Sequence, residues 1–435
     1  MSVESVSQGM LFWPVGNGDS TTIVVDDQHV IQIDICDLVA AREDGAPVAA
    51  IVDRLVEILP TDEDGNPYLA VFILTHADRD HCLGFQDLLD RVTIGEIWAT
   101  PKLWREYTEE GKADELCEDA QAFHAEAERR VKAVKDAIGE GHEVASGDRI
   151  RVIGYDTDHS KHAYSELPGE YLTYPGQSVT ALDGEDMSET FEAFIHAPFK
   201  DDCASARNDT SVAMQITLRN GGGAEGHALF FGDLAYETLM KIFDYSETKQ
   251  RPERLAWDVL LAPHHCSKKV MYVVEEGKET LKEDVVEAIS RHASQFAVIV
   301  ASSAPFPEKD SAGLNPPHLM ARNRYAELVD VLPTAEYPDE LDSQPIVFGL
   351  SEAGLELVEA EEPEQVVKAT EVEPSGRGKM LVGAGLLAGF AVAAATASRR
   401  ARQGSTGLDQ VRGAIAATRG DTAAPQQPVG FGLLG

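Results

Sequence analysis

The stretch Thr75-His76-Ala77-Asp78-Arg79-Asp80-His81-Cys82-Leu83-Gly84 decides how this chain reads. Four side chains able to ligate a metal fall within six residues, directly after Leu69–Leu74, an apolar run that predicts a buried strand. Leu83–Leu89 then reads as a helix, so the cluster sits on a strand-to-helix loop. Imidazole and carboxylate together suit zinc or manganese, and alternate residues of a tight loop can converge on two adjacent ions.

Working outward, the chain mixes strands and helices. Leu11–Phe12–Trp13 leads into a turn at Gly16-Asn17-Gly18-Asp19, and strands are predicted at Thr21–Val25 and Val30–Ile35. Apolar residues at helical spacing predict a helix over Ala49–Leu59, and Ile94–Ala99 reads as another strand. The acidic stretch at about 102–141, which includes Ala113–Ile138, is predicted to be a solvated helical insertion. A second insertion is expected at about 156–202, which is polar, rich in Gly, Pro and Ser, and without a clear period. Further strands are predicted at Ser211–Leu218, Ala228–Phe231, Val259–Leu261 and Phe296–Ala301, with helices at Leu234–Phe243, Lys282–His292 and Leu319–Val331. Ile346–Leu350 and Leu355–Val358 read as a closing hairpin. Such intermixing gives an α/β (α+β) class.

The 435 residues carry 74 Asp plus Glu against 37 Lys plus Arg, a net charge of -37. From Arg377 onward seven basic residues face two acidic ones, so the first 376 residues carry -42. A body so acidic repels polyanions at long range and disfavours loose binding to duplex DNA. Cys36, Cys82, Cys117, Cys203 and Cys266 are odd in number and lack CxxC spacing, and Met1–Met10 has neither a basic start nor an apolar core. Both features predict thiols and a cytoplasmic catalytic body. Residues 1–358 form that body, and 359–379 an acidic linker. Met380–Ala397 has no charged residue and, at about 1.5 Å per residue, would approach the roughly 30 Å of a bilayer core. Two readings stay open for it: a membrane-spanning anchor, or a small-residue helix packing on a partner. Residues 398–435 read as a disordered basic tail.

The Thr75–Gly84 segment resembles the HxHxDH signature of the metallo-β-lactamase superfamily, in the HxDxDH form found in the metallo-β-lactamase-like domains of competence (DNA-uptake) channel proteins. Further resemblances follow in order: Val15-Gly16-Asn17-Gly18-Asp19, Ile33-Asp34, Asn208-Asp209-Thr210-Ser211-Val212, Phe231-Gly232-Asp233, Pro263-His264-His265-Cys266-Ser267-Lys268 and Asn315-Pro316-Pro317-His318. The resemblance spans about residues 9–358 and implies a four-layer αβ/βα sandwich with a dinuclear site at one edge. It implies that His76 and Asp78 hold the first metal, Asp80 and His81 the second, and that Asp233 bridges both. One of His264 and His265 completes the second site, with the spacing to Ser267 favouring His265. Asp34 would orient the loop, and Asp19 would either do the same or simply shape its turn. Where many relatives give the first metal a histidine, this chain reads Arg207-Asn208, with His196 a few residues upstream; Cys266 replaces the usual glycine.

Two divalent ions, zinc or manganese, so held permit metal-assisted hydrolysis. Asp80, with His318 or the spare histidine of the pair as proton donor and Lys268 beside Ser267 on a phosphate oxygen, would serve catalysis. The expected activity is that of a phosphodiesterase or nuclease acting on a small nucleotide or a single-stranded nucleic acid. The rival readings are a hydrolase of a small ester, lactone or lactam, and a non-catalytic, membrane-tethered metal-binding module.

Overall fold

Side chains alternate across a strand, so a strand buried on both faces needs apolar partners on each. The chain supplies them repeatedly: Met10 and Phe12 point to one core and Leu11 to another, as do Val71 and Ile73 against Phe72, and Ala228 and Phe230 against Leu229. The computed structural model describes residues 6–358, apart from 109–111, 157–158, 201, 203–205, 312 and 338–342.

The first sheet holds β1 (Gly9–Phe12), β2 (Thr21–Val24), β3 (Val30–Ile33), β4 (Tyr68–Ile73), β5 (Thr93–Ala99), β6 (Arg149–Ile153) and β7 (Leu172–Thr173). The second holds β8 (Ser178–Val179), β9 (Phe191–Ala197), β10 (Ala213–Arg219), β11 (Glu225–Phe230), β12 (Trp257–Leu261), β13 (Ala293–Ala301) and β14 (Asp330–Pro333). The hairpin β15 (Ile346–Ser351) and β16 (Gly354–Leu357) returns to the first sheet, whose order is β16-β15-β1-β2-β3-β4-β5-β6-β7; the second runs β14-β13-β12-β11-β10-β9-β8. Each sheet is half antiparallel and half parallel, with parallel pairing from β3 to β7 and from β11 to β14.

Three apolar cores divide these elements. One lies between the first sheet and helices α1 (Ile51–Ile58), α2 (Phe85–Arg91) and α4 (Glu118–Glu140), behind the shorter α3 (Pro101–Thr108). A second lies between the two sheets, and the third between the second sheet and α5 (Tyr236–Thr248), α6 (Glu283–Arg291) and α7 (Leu319–Ala326). Helix, sheet, sheet, helix: the four-layer sandwich stands.

Three expectations are corrected. The acidic stretch at 102–141 is no solvated insertion, because α4 buries Ala120, Phe123, Ala127, Val131 and Val134 on the first sheet. Those positions recur at three or four residues, a stripe that the charged outer face masks in a composition reading. Arg130 goes under with them, donating to the carbonyls of Ile94, Gly95 and Arg149 and to Glu126. Within 156–202, Phe191–Ala197 is a buried strand, next to the edge of the second sheet, where Glu192 joins Arg219 and Arg254 in an ion-pair network. The helix predicted over Leu319–Val331 ends at Ala326, and Val331 lies in strand β14, parallel to β13. The described cysteines 36, 82, 117 and 266 are free thiols. The linker, Met380–Ala397 and the tail lie outside the described residues; among those described, no helix is long and apolar enough to cross a membrane.

Candidate metal centre

Parallel strands end at one edge of each sheet, and the loops leaving them converge there. Asp34 follows β3, His76–His81 follow β4, Asp233 follows β11, and His264 and His265 follow β12. Asp19 arrives from the turn between β1 and β2. Gly18 permits that approach: a Cβ there would lie 2.7 Å from the Asp80 carbonyl, which itself accepts from the Asp19 N–H at 3.2 Å.

Asp34 braces the motif loop from below. It is 1% exposed; its Oδ1 accepts from the Thr75 N–H at 2.7 Å, and its Oδ2 from the Thr75 hydroxyl at 2.6 Å and from His81 Nδ1 at 2.7 Å. With Nδ1 committed, His81 turns Nε2 into the centre. His265 is fixed the same way, its Nδ1 donating to the Ser302 carbonyl at 3.2 Å.

Asp233 stands between two sets of groups. Its Oδ1 faces His81 Nε2 at 3.3 Å and His265 Nε2 at 3.5 Å, with Asp80 Oδ2 3.4 Å from the same His265 nitrogen and Asp19 Oδ1 3.4 Å from His265 Nδ1. Its Oδ2 faces His264 Nε2 at 3.5 Å and His76 Nε2 at 3.8 Å, with Asp78 Oδ2 3.6 Å from His76 Nε2. Both histidines of the pair thus reach the centre, one on each flank of Asp233.

These groups fit a cation. Asp19 Oδ1, His76 Nε2, His81 Nε2, Asp233 Oδ1 and His265 Nε2 are all buried without a hydrogen-bond partner. One such orphan costs about 1–3 kcal/mol, so five at one spot call for a shared partner. A metal ion takes carboxylate and imidazole lone pairs alike. One ligand atom each from Asp19, His81, Asp233 and His265 lies within 4.8 Å of the others. Burial opposes the ionisation of Asp233, yet His265 and His81 hold its carboxyl well below the usual range. Burial likewise opposes the charging of His81, but Asp233 and Asp34 raise its pKa well above the ordinary value; Asp233 and Asp19 do the same for His265. The carboxylates demand positive charge, which a divalent ion supplies without protons.

Other expected residues have different employment. His318 accepts from the Lys268 N–H through Nδ1 and faces the Leu314 carbonyl through Nε2, so both ring nitrogens are engaged by the loop. Lys268 Nζ pairs with Glu279 at 2.6 Å, and Ser267 caps the Lys269 N–H. His196 is buried, bonded to the Arg254 carbonyl and not in the centre. Cys266 packs in the third core, where burial pushes its thiol pKa up. Sequence reasoning weighed Asp19 only as a turn or orienting residue and gave Arg207 no role; Arg207 Nη1 in fact donates to Asp78 Oδ1 at 2.6 Å. The signal for Asp19 was the glycine before it, which marks a close approach of two loops.

No family profile and no curated protein matches this chain. Among solved structures, a metallo-beta-lactamase superfamily protein of Sulfolobus tokodaii aligns over 74% of this chain and 96% of its own, at 11% identity and a TM-score of 0.28. Both values are too low to assign an activity, so the functional reading rests on the geometry of the centre.

Proposed function

We propose that this protein is a metal-dependent hydrolase that holds two divalent ions, zinc or manganese, and cleaves a phosphodiester in a small nucleotide or a nucleic-acid end. The observation that carries the metal is the convergence of five partnerless buried atoms on Asp19, His76, His81, Asp233 and His265. His81, His265, Asp80 and Asp19 would hold one ion, His76, Asp78 and His264 the other, with Asp233 between them. Such ions supply a nucleophile from water at neutral pH and polarise the bond to be broken. Asp34 keeps His81 in the required tautomer, and Asp80, 40% exposed at its side chain, is the carboxylate of the centre most open to solvent.

The phosphodiester rests on the motif resemblance. A small or terminal phosphate also suits a body of -42, since the ions and not a basic groove would attract it. One observation favours a small carboxylic ester, lactone or lactam instead: Arg207, the cation that reaches the centre, is already paired with Asp78, and Lys268, which follows the histidine loop, with Glu279. Elemental analysis of protein purified without chelator should find bound metal. Hydrolysis of bis-nitrophenyl phosphate and a nitrophenyl ester, measured side by side with and without metal, should show metal-dependent cleavage of the diester. Cleavage of the ester alone assigns the second reading, and protein that takes up no metal on reconstitution refutes both.

A further inference from the structure

The two flanks of Asp233 are not equivalent. On the Oδ1 flank stand Asp19, Asp80 and Asp233 itself, with Asp34 behind His81; among the described residues their ion-pair partners are the histidines His81, His265 and His76 and, on Asp233, His264, and no lysine or arginine. Four orphaned atoms belong to this flank: Asp19 Oδ1, His81 Nε2, Asp233 Oδ1 and His265 Nε2. On the Oδ2 flank both carboxylate groups already carry donors. Arg207 Nη1 donates to Asp78 Oδ1 at 2.6 Å, and Asn208 Nδ2 donates to Asp233 Oδ2 at 3.0 Å. There His76 Nε2 is the one atom facing Asp233 that is both buried and without a hydrogen-bond partner among the described residues; the buried partnerless nitrogen of His264 is its Nδ1.

Arg207 is itself well held. Its Nε lies 3.6 Å from Glu106 Oε2 and its Nη2 3.9 Å from Glu115 Oε2, so α3 and the turn after it anchor the guanidinium over Asp78. Backbone geometry fixes Asn208 too, since the Ser211 hydroxyl donates to the Asn208 carbonyl at 2.8 Å and accepts from the Asp233 N–H at 3.2 Å. A divalent ion entering the Oδ2 flank would meet one full positive charge across Asp78 and an amide donor on Asp233. The Oδ1 flank offers it three carboxylates and no such opposition.

Resting on the metal-dependent reading above, we infer that the chain fills its two positions in order: the Oδ1 flank tightly, and the Oδ2 flank weakly because Arg207 and Asn208 compete for its carboxylates. The second ion is then an exchangeable one, and Arg207 is a positioning residue that sets its affinity.

The test is a titration of the metal-free, full-length protein with manganese, read by calorimetry and by the electron paramagnetic resonance signal of free Mn(II). Wild type should bind one ion and then a second at least about tenfold more weakly, the scale on which groups behind ligands move metal affinity. Arg207→Ala should tighten the second event by a similar factor and leave the first unchanged. Asn208→Asp, which replaces the donor with a ligand, should move it the same way and carries the test if Arg207→Ala does not fold. Asp19→Asn should weaken the first event only. Two equal events in wild type overturn the inference, as does a second ion that binds more weakly in Arg207→Ala; in both cases the hydrolase reading stands. Absence of any manganese binding overturns that reading as well.

Discussion

Two of the loops that build this centre are held in opposite ways. The one after β4, Thr75–Cys82, is kept in shape by side chains: Asp34 takes three hydrogen bonds from Thr75 and His81, and Arg207 clasps Asp78. The one after β12, Pro263–Ser267, is kept in shape by backbone. His264, His265 and Cys266 have φ of 52°, 51° and 61°, three successive side chains in the left-handed region. Each costs about 1–2 kcal/mol there, and the conformation persists only because its surroundings dictate it. Here the His264 N–H donates to the Gly232 carbonyl at 2.9 Å, the His318 N–H to the Cys266 carbonyl at 3.1 Å, and the Lys268 N–H to His318 itself. The reversal throws His264 to one flank of Asp233 and His265 to the other. A loop ordered by side chains can be retuned one residue at a time, whereas a loop ordered by backbone delivers its ligands as a unit.

Asp233 joins the two loops, so its removal is the largest perturbation available. Asp233→Ala should lower turnover by more than about 10³-fold, beyond the 10²–10³ that loss of a single transition-state donor costs. The fold should survive, because the carboxylate braces no core. Turnover near wild type at matched metal content would show that the two loops do not share one centre. Next comes the brace beneath the first loop. Asp34→Ala leaves the Thr75 N–H and His81 Nδ1 buried without their acceptor, and should cost about 3–5 kcal/mol, as breaking a buried pair does. Metal affinity should fall by about 10–100-fold, since His81 loses its fixed tautomer. Chemical denaturation of the metal-free protein reads the first effect and a manganese titration the second. A variant unchanged in both would mean that the β4 loop holds its own shape.

The same contrast explains what could be read from the sequence. His76, Asp78, Asp80 and His81 are legible because their chemistry is crowded into one segment, and the buried strand before them is six apolar residues long. The closing hairpin and most parallel strands are legible for the same reason. Helix α4 was mistaken because its buried stripe alternates Ala, Phe and Val with Glu, Arg and Lys, so overall charge hides a period that only five positions carry. Strand β9 was mistaken because Glu192 and His196 interrupt its apolar run, and their partners Arg219, Arg254 and the Arg254 carbonyl come from elsewhere in the chain. His264 could not be assigned to a flank because the assignment depends on φ, which a run of two histidines does not announce. Arg207 was silent in a related way, since its partner Asp78 lies 129 residues away.

The smallest effect isolates the backbone of the second loop. Cys266 lies at φ 61° and is fully buried in the third core, beside Tyr325. Truncating it to alanine removes the thiol and keeps a Cβ in the left-handed region; truncating it to glycine removes the Cβ as well. At an ordinary helix or strand position glycine is the less stable of the two by about 0.5–1 kcal/mol, because the unfolded chain gains freedom. At φ 61° relief of about 1–2 kcal/mol of left-handed strain acts in the opposite direction. The lost core group typically costs glycine a further amount of about 0.5–1.5 kcal/mol, so Cys266→Gly should come within about 1 kcal/mol of Cys266→Ala, instead of the deficit of about 1–2.5 kcal/mol expected without the strain. Urea midpoints for the two variants at equal slope measure the difference directly. If glycine falls short of alanine by about 2 kcal/mol or more, the sum of the two unstrained losses, the strand-end reversal stores no strain at Cys266, and the positions of His264 and His265 are set by hydrogen bonds such as those from the His264 N–H to the Gly232 carbonyl and from the His318 N–H to the Cys266 carbonyl.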